Sequence, residues 1–231
     1  MIAASEQIKI IYEDNHLLVI EKPANMPSQK DETNDPDVLE LMKEYIKQKY
    51  NKPGNVFLGL VHRLDRPVGG VMVLGRTSKA ASRLSEQIRN REMKKVYLCV
   101  VHGKPEPDSA RLVHYLVKDN SKNIVKAYNQ EVNGAKEAVL DYKVEAYYDN
   151  FSLVRIFLHT GRPHQIRVQM AAIGHHLYGD MKYGTPYKSG TRQLALWSTQ
   201  ITVNHPTLKT EMVFESKPPQ DVEPWNWFRK Q

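Results

Sequence analysis

Apolar and polar positions near the start of the chain predict two strands followed by a helix. Two short apolar stretches within residues 8–20 flank a polar turn at residues 13–15, as in a strand pair. Asp35 and Pro36 supply an N-cap carboxylate and a proline at the first helical position, so the helix is predicted to begin there. Residues 51–54, Asn-Lys-Pro-Gly, end it. The apolar positions at helical spacing between these limits are Val38, Leu41, Met42, Tyr45 and Ile46.

The middle of the chain continues with strand and helix patterns. Residues 56–74 and 96–101 are predicted to be mostly extended. Between them, Thr77 or Ser78 can cap a second helix, because apolar residues recur behind them every three or four positions. Residues 118–136 are polar and predict a loop or an exposed hairpin.

The last third of the chain predicts more strands and one more helix. Residues 141–148 and 151–159 are typical of a strand pair joined by a two-residue turn. Pro163 is predicted to open a helix that Gly174 closes, and the chain after Gln193 is again strand-like. This mixture of elements indicates an α+β fold.

The composition is that of a folded, basic protein. Of the 231 residues, 41% are hydrophobic and 26% are charged, which is compatible with one large domain or two small ones. Lys and Arg number 33 against 26 Asp and Glu, and the net charge of +7 makes nucleic acid a reasonable partner. No stretch approaches the roughly 20 apolar residues of a membrane helix, the start lacks a signal-peptide pattern, and the lone Cys99 fits a reducing compartment. We therefore expect a cytoplasmic protein.

Residues 62–66, His-Arg-Leu-Asp-Arg, place a carboxylate between two arginines. If this stretch is extended, Arg63 and Asp65 point to one face, and His62, Leu64 and Arg66 to the other. An arginine held near Asp65 would favour its ionised form and fix its orientation. The alternative is a surface salt-bridge cluster at the end of a strand, which contributes little.

Residues 160–167, Thr-Gly-Arg-Pro-His-Gln-Ile-Arg, combine a glycine turn, a helix start and two arginines. The backbone N–H groups at a helix start favour anions such as phosphate or carboxylate. His164 and Arg167 are three residues apart and therefore share a helical face, so Arg167 can project toward the same pocket as Asp65. The alternative is an ordinary capped helix with a solvated polar face.

Two further stretches carry candidate chemistry. Tyr97 follows two lysines at the start of a strand, where an aromatic ring beside positive charge suits base stacking. The alternative is a half-buried strand tyrosine.

His175, His176 and Asp180 invite a metal hypothesis. Neither an HExxH motif nor a cysteine pair accompanies them, so we expect no metal.

Five stretches of the chain together resemble the motifs of the RluA-type pseudouridine synthases, in content and in order. Leu60-Val-His-Arg-Leu-Asp-Arg66 resembles the central motif of that family, with the catalytic aspartate at Asp65. Gly161-Arg-Pro-His-Gln-Ile-Arg167 resembles the motif whose last arginine pairs with that aspartate. The other three are Glu21-Lys-Pro-Ala24, Lys95-Val-Tyr97, and Gly179-Asp180 with Tyr183-Gly184.

The resemblance implies an architecture. It extends over residues 10–218 and implies a mixed, mostly antiparallel central sheet flanked by helices, with a basic active-site cleft. It also implies a single catalytic domain over residues 1–231, with residues 219–231 as a tail. Because little chain precedes the first motif, the protein is similar to the compact members that lack the N-terminal RNA-binding domain, and we expect a monomer.

The resemblance also implies an activity. The chain would be an isomerase, an intramolecular transferase that converts specific uridines of ribosomal large-subunit RNA or transfer RNA to pseudouridine without cofactor or metal. Asp65, Tyr97 and Arg167 would be catalytic. The residues expected to contact RNA are Arg63, Arg66, Arg162, His164 and Gln165.

The chain departs from the family pattern at three positions, and the sequence also leaves two rival functions open. Gly69, His176 and Trp197 stand where the family commonly has serine, proline and histidine. One rival is a non-catalytic RNA-binding module of the same fold, which would be expected to have altered Asp65, Tyr97 or Arg167. The other is a metal-dependent phosphoesterase that uses Asp65, His62, His175 and Asp180.

Overall fold

A computed structural model describes residues 8–184 and 193–229. Within these residues the chain forms two compact units. The first contains the chain up to Lys94 together with Ser198–Ser216, and the second contains Lys95–Trp197 and the chain from Lys217 onward. Whether they function as one catalytic domain stays a prediction.

The described residues contain eleven strands, three α-helices and a short 3₁₀ helix at Trp225–Phe228. The α-helices are α1 (Val38–Lys49), α2 (Ser78–Arg89) and α3 (Gln165–Ala172). The strands are β1 (Lys9–Glu13), β2 (Leu17–Lys22), β3 (Gly59–Leu60), β4 (Gly69–Gly75), β5 (Lys94–His102), β6 (Ser109–Asp119), β7 (Ile124–Tyr128), β8 (Lys136–Tyr148), β9 (Phe151–Leu158), β10 (Leu196–Asn204) and β11 (Glu211–Glu215). The predicted α+β fold is confirmed.

The sheet of the first unit follows the order β1-β2-β4-β10, and β10 contributes its residues from Ser198 on. β1 and β2 form the predicted strand pair, and β2 runs antiparallel to β4 with Leu18 opposite Leu74. All seven residues of β4 are buried, which explains its unbroken apolar run. The core of this unit consists of Leu17, Val19, Val71, Val73, Leu84, Met93, Ile201, Val203 and Phe214.

The first helix begins two residues later than predicted. Asp37 is its N-cap, because its Oδ1 accepts the N–H of Glu40 at 3.1 Å. Asp35 lies before the helix and pairs with Arg66. The predicted stop is confirmed, since Asn51 takes a left-handed conformation (φ 47°) just after the helix. Thr77 rather than Ser78 caps α2, by accepting the N–H of Ala80 at 3.1 Å.

The sheet of the second unit follows the order β5-β9-β8-β6-β7, and these neighbours run antiparallel. β6 and β7 form a hairpin whose turn and second strand lie within residues 118–136, where the sequence predicted a loop or an exposed hairpin, but its first strand begins earlier, at Ser109. β8 and β9 form the predicted pair around Asp149. The helix predicted to open at Pro163 begins at Gln165 instead, because His164 before it is left-handed (φ 52°). α3 contacts β6 and β7, and its Val168 packs with Leu116, Val125 and Ala138. No helix in the described part of the chain is long and apolar enough to cross a membrane.

Candidate active site

The backbone around Asp65 is fixed by hydrogen bonds within the first unit. Residues 62–66 lie between β3 and β4, outside any strand of the described chain, so only the ends of the segment predicted as extended are strands. The hydroxyl of Ser28 donates to the Leu64 carbonyl at 2.8 Å and accepts the Leu64 N–H at 3.2 Å. The N–H of Val68 donates to the carbonyl of Asp65 at 2.9 Å. This clamp and turn hold the half-buried Asp65, while Leu64 is buried and Arg63 is exposed.

A fully buried lysine lies beside this turn. The ammonium of Lys22 donates to the carbonyls of Met26 at 2.6 Å, Pro23 at 2.9 Å and Arg66 at 3.1 Å. Burial lowers the pKa of Lys22 to about 7, opposed by the nearby charge of Asp65. Lys22 therefore anchors the residue after Asp65 and supplies positive potential to the carboxylate. Sequence reasoning gave it no role, although a lysine that ends the buried strand β2 was the available signal.

The guanidinium of Arg66 is occupied by an acidic loop of its own unit. It pairs with Asp35 and, at 3.5 Å, with Asp31, and it donates to the hydroxyl of Thr33 at 2.9 Å. Its side chain nevertheless remains 40% exposed. Arg66 is thus held next to the turn, at a surface that solvent reaches.

In the second unit, Arg167 and Asp180 form a buried ion pair. Arg167 Nε and Nη2 donate to the two carboxylate oxygens of Asp180 at 2.8 and 2.7 Å. The same carboxylate accepts the N–H groups of Lys182 and Tyr183 at 3.0 and 3.1 Å. Burial alone would raise the pKa of Asp180, but hydrogen bonds and the charge of Arg167 outweigh it and hold the pKa below its usual range. The Gly161–Arg167 and Gly179–Gly184 motifs are therefore joined through this pair.

A second link joins the same two motifs. His164 Nδ1 lies 2.6 Å from the hydroxyl of Tyr183, which also accepts the N–H of Val125 in β7 at 2.9 Å. The guanidinium of Arg167 lies over the Tyr183 ring, 5.2 Å from its centroid. A left-handed conformation costs a non-glycine residue about 1–3 kcal/mol and persists only where its surroundings impose it, and this bond is one such constraint on His164. The sequence had offered no role for Tyr183 beyond the motif.

The side chains of Gln165 and Arg162 shape the turn before α3. Gln165 Oε1 accepts the hydroxyl of Thr160 at 2.8 Å and the N–H of Arg162 at 3.0 Å, and its Nε2 donates to the Val139 carbonyl at 3.1 Å. Arg162 Nε donates to the carbonyl of Glu137 at 2.9 Å. These bonds use much of the Gln165 amide within the unit, so its predicted contact with RNA stays a prediction.

Tyr97 lies on β5 opposite Ile156 and is 6% exposed. Lys95 is two residues earlier on the strand, so the two side chains share a face. The Lys95 ammonium lies 3.3 Å from where a Cβ on Gly161 would be, and its burial lowers its pKa. The strand that carries Tyr97 thus places one of the two lysines noted in the sequence beside the glycine of the Gly161–Arg167 motif.

The metal ligands of the rival phosphoesterase hypothesis have other roles. His62 Nε2 accepts the N–H of Val73 at 2.9 Å, and His175 Nδ1 lies 2.9 Å from the carbonyl of His102. Asp180 is committed to Arg167. Within residues 8–184 and 193–229, no group of three His, Cys, Asp or Glu side chains is placed to hold a metal ion.

The predicted site residues divide between the two units. Arg63, Asp65 and Arg66 lie in the first unit, and the turn at Asp65 keeps them together. The second unit holds Tyr97, Arg162, His164, Gln165 and Arg167. The predicted pairing of Asp65 with Arg167 stays a prediction.

Comparison with known proteins identifies the family these motifs resemble. The sequence model of a family described as RNA pseudouridylate synthase matches residues 16–172. The dual-specificity RNA pseudouridine synthase RluA of Escherichia coli (strain K12) is 32% identical over 212 residues, which are 90% of this chain and 91% of that protein. Ribosomal large subunit pseudouridine synthase D of Zymomonas mobilis is 30% identical over 226 residues, covering 94% of this chain and 71% of that protein. The structure of human RNA pseudouridylate synthase domain containing 4 has the same fold, with a TM-score of 0.79 over 94% of this chain and 92% of that one at 23% identity.

Proposed function

Because the chain belongs to the RNA pseudouridylate synthase family, we propose that it isomerises specific uridines of ribosomal large-subunit RNA or transfer RNA, with Asp65 as the catalytic carboxylate. The protein is an RNA pseudouridine synthase, an isomerase. The observation that supports the role of Asp65 is its fixed backbone, which Ser28 holds on one side and Lys22 on the other. A carboxylate carried on a fixed backbone loses less freedom when substrate binds than one on a mobile loop, and this favours reaction.

The reaction constrains what the site must do. The bond between uracil N1 and the ribose breaks, the detached base rotates while bound, and a carbon–carbon bond forms between C5 and the ribose. A proton leaves C5 and one is gained at N1, so the product is an isomer and the chemistry is redox-neutral. Asp65 would act on the reacting nucleotide directly, with the ammonium of Lys22 contributing positive potential behind it.

The other predicted residues would bind and orient the RNA. A uridine within a structured RNA has to be flipped out before its base can react. Arg63 and Arg66 would hold phosphates near the flipped nucleotide, Arg167 would orient Asp65, and Tyr97 would stack on the base or take part in proton transfer. Arg162, His164 and Gln165 would complete the contacts with RNA in a basic cleft.

The proposal also covers the location of the protein, its oligomeric state and its need for a metal or cofactor. It would act as a cytoplasmic monomer on structured ribosomal or transfer RNA, with no membrane, metal or cofactor. A redox-neutral isomerisation in which the protein supplies a carboxylate and proton carriers has no requirement for electron transfer. The name of the dual-specificity relative is compatible with more than one class of RNA substrate.

Pseudouridine mapping tests the proposal directly. Total RNA is chemically labelled and sequenced from a strain without the gene and from the same strain with the wild-type gene, Asp65→Asn or Asp141→Asn. Asp141 is a matched control, because it is a surface carboxylate that pairs with Arg111 and His159. One or a few sites should vanish on deletion and return with wild type and Asp141→Asn, but not with Asp65→Asn.

The alternative outcomes are equally informative. Restoration of the sites by Asp65→Asn would show that another group performs the chemistry. If no site in ribosomal or transfer RNA responds to the gene, the isomerase proposal for these substrates is wrong, and a non-catalytic RNA-binding module becomes the better interpretation.

A further inference from the structure

We propose that Tyr183 is a positioning residue, whose hydroxyl sets the tautomer of His164 and whose ring supports the guanidinium of Arg167. This inference rests on the proposed function, since His164 and Arg167 are assigned there to RNA binding and to the orientation of the catalytic carboxylate. Tyr183 lies at the point where the Gly161–Arg167 motif, the Gly179–Gly184 motif and the β6–β7 hairpin meet.

The hydrogen bonds around the Tyr183 oxygen favour one direction for its proton. The oxygen accepts the N–H of Val125 at 2.9 Å, so one of its lone pairs is used. His164 Nδ1 lies 2.6 Å away. If Nδ1 carried a proton, two N–H groups would converge on one phenol oxygen. The arrangement with complementary roles has the Tyr183 O–H donate to an unprotonated Nδ1.

This assignment fixes the chemistry of the imidazole. With Nδ1 as acceptor, the neutral ring carries its proton on Nε2, and Nε2–H is its hydrogen-bond donor. The left-handed backbone of His164 (φ 52°) and the bond at Nδ1 together set where that donor points. A fixed N–H donor suits an acceptor oxygen of the RNA, whether of a phosphate or of the uracil ring.

Tyr183 also acts on Arg167. The Nε and Nη2 atoms of the guanidinium bind Asp180, and its central carbon lies over the Tyr183 ring, 5.2 Å from the ring centroid. A cation–π contact and a bidentate carboxylate together restrict the rotation of an arginine side chain. The ring would therefore narrow the range of orientations of the Arg167 guanidinium.

The hairpin gives this arrangement a support outside both motifs. Val125 belongs to β7, and Lys182, next to Tyr183, donates from Nζ to the carbonyl of Asn123 at 2.9 Å in the turn of the same hairpin. The side chain of Val125 packs with Leu116 of β6 and Val168 of α3. The hydrogen bonds of the Tyr183 hydroxyl with Val125 and His164 are thus made to elements that are themselves packed.

Tyr183→Phe tests the proposal, because it removes the hydroxyl and keeps the ring. Tyr142→Phe is the matched control: Tyr142 is buried in the same unit, and its hydroxyl donates a single hydrogen bond of 2.8 Å to the carbonyl of Pro107. The ring nitrogens of ¹⁵N-histidine-labelled protein are recorded by NMR at neutral pH, with the His164 signals assigned by comparison with His164→Gln. Turnover is measured on the RNA identified by pseudouridine mapping.

The expected result combines both readouts. Wild type and Tyr142→Phe should show His164 protonated at Nε2 alone, whereas Tyr183→Phe should show a mixture of tautomers. The kcat of Tyr183→Phe should fall about fivefold to tenfold, the equivalent of one net hydrogen bond, while that of Tyr142→Phe stays within twofold of wild type. In His164→Gln, adding Tyr183→Phe should lower kcat by less than it does in wild type.

Several outcomes would overturn the proposal. An unchanged His164 tautomer in Tyr183→Phe, or an unchanged kcat, contradicts it, and so does an equal loss in Tyr142→Phe. If Tyr183→Phe does not fold, a wild-type kcat in His164→Gln contradicts it instead, and a kcat lowered at least fivefold supports it. If wild type forms no pseudouridine, the proposed function fails, whereas the tautomer comparison needs no substrate and still decides whether Tyr183 controls His164.

Discussion

Lys22 couples proton binding to the stability of the first unit. Its pKa is lowered from 10.5 to about 7, chiefly by burial, so between these values the unfolded chain binds more protons at this residue than the folded chain does. The free energy of unfolding therefore gains a contribution from Lys22 that rises with pH through this window. In Lys22→Met, urea denaturation between pH 7 and 10 should show a weaker rise of the unfolding free energy with pH than in wild type.

Lys79→Met is the control for this experiment. Lys79 is an exposed lysine at the start of α2, so its replacement should leave the pH dependence of wild type unchanged. Equal pH dependence in wild type and Lys22→Met would show that the buried lysine binds its proton equally well in the folded and unfolded chains.

The ion pair between Arg167 and Asp180 predicts a large loss of stability when it is broken. Asp180→Asn removes the charge that compensates a buried guanidinium, and breaking a buried pair in this way costs about 3–5 kcal/mol. Asp141→Asn breaks an exposed pair with Arg111 and should cost about 0–1 kcal/mol. Urea denaturation of both variants measures the difference. Similar losses of unfolding free energy in the two variants would contradict the expectation that the buried Arg167–Asp180 pair contributes more to stability than the exposed pair.

Individual residue types were easier to predict than their partners. The sequence pointed to Asp65 because a carboxylate between two arginines is unusual locally, and to Arg167 because residues 161–167 resemble a family motif. The partners lie far along the chain: Asp180 is 13 residues from Arg167, and the Lys22 ammonium binds a carbonyl 44 residues away. Local patterns carry no information about such pairings, so Asp180 was first considered as a metal ligand.

At the scale of elements, the start of α1 gives a prediction that separates two candidate caps. Asp37 accepts the N–H of Glu40 and is buried, whereas Asp35 forms an exposed pair with Arg66. Asp37→Ala should lower the free energy of unfolding by about 1 kcal/mol, and Asp35→Ala by less than about 0.5 kcal/mol. Thermal unfolding of the two variants checks this. A larger loss in Asp35→Ala would restore the helix start that the sequence predicted.

The error at this helix has a physical cause. Asp35 with Pro36 satisfies the general rule for a helix start, but the aspartate two residues later satisfies the capping requirement as well. Tertiary contacts decide between them, because Arg66 binds Asp35, and the N–H of Val38 donates to the carbonyl of Pro27 at 2.9 Å. The strand pairs and the Thr77 cap were predicted correctly because they depend on patterns within a few residues.

At the scale of the whole molecule, charge predicts how strongly the protein depends on salt when it binds RNA. The net charge is +7, and Arg63 is exposed next to Asp65. Each phosphate contact releases counterions and adds about 0.7–0.9 to the slope of log K against log salt concentration. Arg63→Gln should therefore weaken RNA binding. It should also reduce the magnitude of this slope by about 0.7–1, the contribution of one phosphate contact. Binding titrations at several salt concentrations measure it.

The control has to be an arginine whose charge is already neutralised within the protein. Arg155 fits, because its guanidinium binds both oxygens of Glu145 across the β8–β9 pair. Arg155→Gln removes the same charge from the total and should leave the slope close to that of wild type. If both variants reduce the slope equally, net charge alone drives RNA binding, and the contact assigned to Arg63 is wrong. If only Arg63→Gln reduces it, the position of the charge beside Asp65 is what matters.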